Sequence, residues 1–408
     1  MRNADNPFEP GAGTKPPELA GRELIIEDAV TSIARGSKGR PIRGQVFYGL
    51  RGVGKTVLLR EVSEIAVQYG GIVADLETPE GKRLAQFLAP SMRQILIELS
   101  AAAKAKAMLK KAASALHSFA SVFKVNIADI GIEVKDPGGV AGSGDLEKDV
   151  TDLMVTVANA AKEQNRLVLL ALDEMQYMRE EDLAALITAI HKINQNSLPL
   201  GVFGAGLPQL LGKAGKAKSY SERLFLFVEI GALNDDDATK AIRDPIIAAN
   251  ATIKSNALRY ILDKSQGYPY FLQEWGYRTW NAATKSPIVQ ADAIAAEQST
   301  IRSLDASFFR VRFDRLTPDE KNYLRAMAEL GSGPYESGVV AKVLGKNATQ
   351  TAAVRSRVIA KGMAYSVQYG IIDFSVPLFG EFMKRTMPDF KRKTSRKQKA
   401  RAKNKRRE

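Results

Sequence analysis

Residues 49–56 read Gly-Leu-Arg-Gly-Val-Gly-Lys-Thr, a complete G-x-x-x-x-G-K-T set between an apolar strand, Val46–Tyr48, and a helical run from Thr56 to about Tyr69. No other feature restricts the fold as much. The glycines let the backbone curl until its N–H groups converge, and a helix starting there adds the positive end of its dipole. Such a loop suits phosphate. Gly49, Leu50, Arg51, Gly52, Val53, Gly54, Lys55, Thr56 and Val57 form the expected cradle. Lys55 is expected to reach the β- and γ-phosphates of ATP, and Thr56 to place its hydroxyl on Mg2+.

A second segment completes the site. Arg166-Leu-Val-Leu-Leu-Ala-Leu-Asp-Glu174 carries six consecutive apolar residues, which imply a strand covered on both faces, as in a parallel sheet. Asp173 at its carboxyl end is the expected second anchor for Mg2+, and Glu174 the expected general base for an attacking water. With Lys55 and Thr56 they predict an ATP hydrolysis site. Composition closes other routes: there is no cysteine, and the two histidines are His117 and His191, far apart in sequence. Disulfides, thiolate chemistry and a histidine-rich zinc centre are excluded. No apolar run approaches the roughly 18 residues a bilayer crossing needs, and the polar start with Asp5 and Glu9 is no signal peptide. The expectation is a soluble cytoplasmic protein without a membrane partner.

Further strands are read at Ile72–Leu76, Leu200–Phe203 and Leu226–Ile230, so five strands alternating with helices predict a three-layer α/β domain. Pro7–Pro17 reads as an extended, flexible lead-in, and Glu18–Arg35 as a short helix region. Residues 83–119 read as mostly helical, with Ala101–Lys111 a solvated helix. Val122–Val134 alternates with one slip and predicts two short strands or a bulge beside the main sheet. Pro137–Gly144 is a glycine-rich connection. Helical periodicity returns over Leu146–Gln164 and Asp182–Ile193.

This pattern resembles the AAA+ ATPases, in the branch holding archaeal-type ATPases, origin-recognition and initiator-loader proteins and STAND signalling NTPases. The resemblance implies a P-loop NTPase with a three-layer αβα core, a helical lid and a C-terminal winged helix. Leu19-Ala-Gly-Arg-Glu23 looks like the family's box near the adenine and implicates Arg22. Tyr220-Ser-Glu-Arg-Leu224 lies where an arginine finger is common, so Arg223 would project into a neighbouring subunit's nucleotide. Ala205 and Gly206 stand where the family often carries a polar sensor. Gly267-Tyr-Pro-Tyr-Phe-Leu-Gln273 resembles the lid motif of the STAND group, placing Tyr268 and Pro269 near the base. Tyr268, Tyr270, Phe271, Trp275 and Trp280 equally fit a packed aromatic lid core. The implied boundaries are a lead-in 1–17, a nucleotide-binding domain 18–232 with an insertion around 91–145, a lid 233–312, a winged helix 313–388 and a disordered basic tail 389–408.

Thr317-Pro-Asp-Glu320 is a capping box with proline at the first helical position, opening a helix to about Leu330. Ser337–Leu344 and Thr349–Lys361 read as two more helices, and Met363–Gln368 and Ile371–Val376 as a hairpin around Tyr369-Gly370. Three helices and a hairpin make a winged helix. If it binds duplex DNA, the third helix enters the major groove, with Thr349, Gln350, Arg355, Arg357 and Lys361 as its polar candidates and Lys342 and Lys346 on phosphates. A protein-docking module is the alternative. The chain has 59 Lys plus Arg against 45 Asp plus Glu, a net charge of +14. Residues 391–408 supply +10 of it, from Lys391, Arg392, Lys393, Arg396, Lys397 and six further cations against one acid. Counterion release would draw such a tail to nucleic acid without reading a base, and the protein to the nucleoid. A merely solubilising tail is the bland alternative. Two functional expectations stand: an ATPase switch on DNA that self-associates through Arg223, or a STAND-like signalling ATPase with a protein partner.

Overall fold

The computed structural model describes residues 3–11, 13–101, 106–128 and 140–390. Five strands, β1 (Gly44–Tyr48), β2 (Ile72–Glu77), β3 (Val168–Asp173), β4 (Leu200–Gly206) and β5 (Phe225–Glu229), form an all-parallel sheet in the order β2-β3-β4-β1-β5. The period of two along β3 explains its unbroken apolarity. Leu169 and Ala171 join one core, and Val168, Leu170 and Leu172 the other. The first face is covered by α1 (Glu23–Gly36) and α2 (Lys55–Gln68). The second is covered by α3 (Leu84–Ala101), α4 (Lys106–Val122), α5 (Leu146–Glu163) and α6 (Glu180–Gln195). Helices α7 (Gln209–Ala217) and α8 (Ser221–Leu224) lead from β4 into β5.

Three local readings change. β4 runs on to Gly206, past Phe203, because Gly204 leaves room for Met175: a Cβ there would sit 2.1 Å from the Met175 sulfur. Residues 125–128 form no strand; the Val125 N–H returns to the Ala120 carbonyl at 2.8 Å, so the chain after α4 turns instead of extending. The remainder of Val122–Val134 lies outside the described residues. The lead-in is pinned: Phe8 is buried against Gly276, and the Asn6 amide donates to Asn281 at 2.8 Å. In the alanine- and lysine-rich stretch, Leu109 enters the core while Lys110 and Lys111 stay outside.

Four helices follow the core: α9 (Asp235–Ala248), α10 (Ser255–Ser265), α11 (Pro269–Ala282) and α12 (Gln290–Ser303). A π-helical turn, Leu304–Phe309, joins α12 to the short α13 (Arg310–Asp314). The last unit contains α14 (Pro318–Ala328), β6 (Tyr335–Glu336), α15 (Ser337–Val343), α16 (Ala348–Ala360), β7 (Ala364–Gln368), β8 (Ile371–Phe374) and α17 (Phe379–Thr386). Its antiparallel sheet has the order β6-β8-β7. Strand β6 and helix α17 have no counterpart in the sequence pattern: two residues carry no period, and α17 starts only after Leu378 takes a left-handed turn. A ladder of aromatic contacts, Phe308–Phe309, Phe309–Phe382 and Phe379–Phe382, runs from the π turn into α17.

Glu320 ties this unit together. As the third residue of α14 it accepts from the Thr317 N–H at 2.9 Å, closing the capping box, and its carboxylate is fully buried. Arg357 lies 3.2 Å from it and Lys361 2.7 Å, both from α16 or its end. Burial alone would raise its pKa. The hydrogen bonds from Lys361, Thr317 and Arg357 outweigh that and hold the carboxyl below the usual range. A depressed pKa stabilises the fold above the ordinary carboxylate pKa and ceases to as pH falls through the folded value. We therefore expect Glu320→Gln to lower stability near neutral pH by about 2 kcal/mol, the worth of a buried charged hydrogen-bond set. In acid titrations followed by circular dichroism, the gap between variant and parent should close below about pH 4.

Candidate nucleotide-binding site

The phosphate loop crosses from β1 to α2 at the carboxyl edge of the sheet, and only β4 separates β1 from β3. This brings the two sequence-predicted segments together: the Thr56 hydroxyl donates to Asp173 at 2.6 Å. Gly52 and Gly54 have φ of 84° and 94°, left-handed values that glycine adopts without strain, so the loop curls as expected. Glu174 also takes a left-handed turn, and its N–H donates to the Asp173 carboxylate at 2.7 Å. Burial raises the Asp173 pKa, while the Thr56 hydroxyl and the Glu174 N–H oppose the rise.

A cavity of about 310 Å³ opens over the loop. Arg51, Gly52, Val53, Gly54, Lys55, Thr56 and Val57 line it, with Asp173 and Glu174 at one side and Leu19, Arg22, Leu233, Pro269 and Leu272 at another. Gly49 and Leu50 lie behind the wall, where their carbonyls accept from the Lys55 ammonium at 3.0 and 2.7 Å. The N-terminal segment contributes Glu9, Gly11, Gly13 and Thr14, so the supposed lead-in is part of the wall. Arg22 donates to the Gly231 carbonyl at 2.6 Å, and burial lowers its pKa. Tyr268 is not in the lining. It lies under the loop, where its hydroxyl donates to the Arg51 carbonyl and burial pushes its pKa up. Tyr270 holds the next peptide: its N–H donates to the Gly52 carbonyl at 3.2 Å, and its ring stacks on Phe308 at 4.5 Å. The packed-aromatic reading describes Tyr268, Phe271, Trp275 and Trp280, all buried.

Two residues at or beside the cavity carry no sequence signal. Arg312 enters the cavity from α13, its guanidinium 4.1 Å from the Phe308 ring centre. No carboxylate pairs with it among the described residues. Burial first and the facing Arg51 second bring its pKa down to about 10. Gln176 is buried beside the end of β4: its carbonyl accepts the Leu207 N–H at 3.0 Å, and its amide donates to Glu174. A Cβ on Gly206 would lie 3.1 Å from the Gln176 oxygen, so the side chain fills the space that Ala205 and Gly206 leave without a polar group.

The electrostatics favour a polyanion. Burial lowers the Lys55 pKa to about 8, against the pull of Glu174 and Asp173. Lys55, Arg51 and Arg312 thus share one desolvated wall with two carboxylates, a balance that phosphate would relieve. Residues 18–203 match the family model of the AAA ATPase domain. The chain is an ATP-hydrolysing enzyme. Residues 306–383 match a domain of unknown function (DUF8462). The fold is similar to that of the Walker-type ATPase PABY2304 of Pyrococcus abyssi, with a TM-score of 0.56 and 14% identity over 90% of this chain and 96% of that one. The Thermotoga maritima RuvB Holliday junction branch migration motor aligns with a TM-score of 0.45 and 14% identity over 88% of this chain and 95% of its own. The Aeropyrum pernix Orc1 protein in complex with DNA aligns with a TM-score of 0.45 and 13% identity over 92% and 94%. Comparison with curated proteins gave no match.

The residues proposed for nucleic acid and for subunit contact are placed as follows. Arg357 and Lys361 form ion pairs with Glu320, with half of the Arg357 side chain exposed. Gln350 caps α16 with Asn347, and Arg355 donates to the Ser366 hydroxyl at 3.4 Å. Thr349 is exposed beside Lys346, and Lys342 is exposed on α15. Lys391, Arg392, Lys393, Arg396 and Lys397 lie outside the described residues. Arg223 is exposed on α8, next to the edge strand β5, and takes part in no ion pair among the described residues. No helix among the described residues is long and apolar enough to cross a membrane.

Arg312 offers the sharpest test of the cavity's ligand. Arg312→Ala should raise the KM for ATP about tenfold, the scale of one charge-assisted hydrogen bond. It should not lower the thermal midpoint of the nucleotide-free protein, because it removes a half-buried cation that lacks a carboxylate partner among the described residues. Steady-state phosphate release and a melting curve check both.

Proposed function

We propose that this chain is an ATP-driven switch whose nucleotide state controls engagement of, or assembly on, double-stranded DNA. The observation that carries the reading is that one cavity is walled by the loop of the core and by the lid, through Pro269 and Leu272 and through Phe308 and Arg312 at its end, where the stretch matched by the C-terminal family model begins. A ligand there would touch core and lid, and the lining residue Arg51 donates its N–H to the Ser375 carbonyl of the C-terminal unit at 3.3 Å.

In this reading Lys55, Arg312 and the loop amides hold the triphosphate, with Arg22 and Pro269 nearer the base. The donor set fits Mg2+: a hydroxyl and one carboxylate, Thr56 and Asp173, leave the remaining positions to phosphate oxygens and water. When bound, the ion supplies neutralisation of charge on those oxygens. Glu174 accepts a proton from a water as that water attacks the γ-phosphorus, the bond to the β-bridging oxygen breaks, and ADP and phosphate leave. Arg223 would complete the site of a second copy; it is exposed and has no acid partner among the described residues.

We read the C-terminal unit as a winged helix. With Arg357 and Lys361 held by Glu320, its groove contacts would come from Thr349 and Gln350 at the start of α16, with Lys342 and Lys346 on phosphates. The tail supplies counterion release and is the main support for nucleic acid over a protein partner. The domain boundaries proposed are those given by the resemblance, with the first seventeen residues assigned to the nucleotide wall.

Phosphate release should be stimulated by duplex DNA, and Lys55→Ala and Glu174→Gln should each remove it. DNA binding should survive Lys55→Ala, and removal of Lys391–Glu408 should flatten its salt dependence by several units of slope. Turnover indifferent to DNA, with no DNA retained at low salt, would transfer the reading to the signalling ATPase with a protein partner.

A further inference from the structure

Helix α11 begins against the phosphate loop, where the Tyr270 N–H donates to the Gly52 carbonyl. Pro269, Leu272 and Gln273 line the cavity from this helix, at the spacing of one helical face. Gln273 lies about 6 Å further along the axis than Pro269. Just beyond it Gly276 packs against Phe8, where a Cβ would sit 2.6 Å from the ring. Glu9 and Gly11, which follow Phe8, are also in the wall. The N-terminal segment and α11 thus meet past Gln273 and bound the cavity there.

The buried lining is apolar with one exception. Beside Ala20, Val53, Val57, Leu58, Ala241 and Leu272 stands Gln273, nine-tenths buried. Its oxygen is out of contact with water and accepts from no donor among the described residues. An interior acceptor without a donor weakens a fold, and methionine would fill a similar volume without that penalty. The amide torsion is broad and two-fold, so a half-turn offers either oxygen or nitrogen to the cavity, and the oxygen breaks no bond in turning.

A primary amide can meet two adjacent groups of opposite kind, one donor and one acceptor. Adenine presents such a pair, an exocyclic amino group beside a ring nitrogen, and glutamine matches it with two hydrogen bonds. The charged groups of the lining do not offer this. Arg22 only donates, and it is held by the Gly21 and Gly231 carbonyls, while Glu9 and Glu18 bring carboxylates.

We infer that Gln273 is a specificity-determining residue whose amide accepts from the adenine amino group and donates to the ring nitrogen beside it. The inference rests on the reading that ATP lies in this cavity with its base toward Pro269, and it names the side chain that selects the base.

The test is steady-state phosphate release by the full chain with ATP and with purine riboside triphosphate, which lacks only the amino group. The parent should show a KM about tenfold higher for the analogue, the scale of one hydrogen bond, with kcat little changed. Gln273→Met should raise the KM for ATP by at least that factor and bring the two KM values together. A merely structural glutamine would shift both substrates alike and leave their ratio intact. Without nucleotide, Gln273→Met should melt no lower than the parent, because the oxygen it removes has no donor to lose. Equal KM values in the parent, a ratio unchanged in the variant, or a variant that does not fold overturns the inference. If Lys55→Ala retains turnover, the reading of the cavity has failed, and the inference with it. If Lys55→Ala abolishes turnover while Gln273→Met leaves the ratio as it was, the inference alone has failed.

Discussion

Holding Lys55 and Arg312 half-buried over a glycine-rich loop is the constraint to which the surrounding structure answers. Neither cation pairs with a carboxylate at ion-pair distance among the described residues, and desolvation lowers both pKa values, to about 8 and about 10. A core packed only for stability would avoid such groups or neutralise them. Here the loop carbonyls of Gly49 and Leu50 satisfy Lys55, and the Phe308 ring and carbonyl satisfy Arg312. These are partners that a phosphate can replace. The lid then braces the loop from beneath, through Tyr268 and Tyr270, so that the cradle is held in shape before any ligand enters.

The same bracing explains why glycine stands where it does. A side chain at Gly52 would meet Tyr268, Phe308 and Tyr270 within 3.3 Å, besides the strain of its positive φ. Gly362 meets the loop from the other direction. Core, lid and C-terminal unit converge on two peptides, those of Arg51 and Gly52. A change at any of the three surfaces meets the loop that lines the cavity. The nucleotide site is a junction as much as a pocket.

Much of this was legible in order along the chain. The loop could be read because its eight positions are contiguous and backbone geometry dictates glycine there. Asp173 and Glu174 could be read because a buried parallel strand is continuously apolar until it ends in charge. The capping box at Thr317 is local and appears as expected. Arg312 and Gln176 could not be read: each is a lone polar residue in a short element, and its role arises from what stands opposite. Tyr268 was assigned to the base by resemblance, yet its hydroxyl finds the Arg51 carbonyl on the other side of the loop. Arg357 and Lys361 looked free because Glu320 lies 37 and 41 residues earlier and no helical period links them.

The sequence by itself determined the phosphate cradle, the parallel sheet and the paired acids, because these depend on local backbone conformation and on alternating burial along a strand. Only the tertiary structure decided which cations face the cavity, which pair with Glu320, and which meets Glu174. Those outcomes depend on side chains meeting across long separations, Arg51 with Glu174, Gly362 and Ser375 above all. Such contacts are set by how the layers pack, and packing leaves no period in the chain to be read.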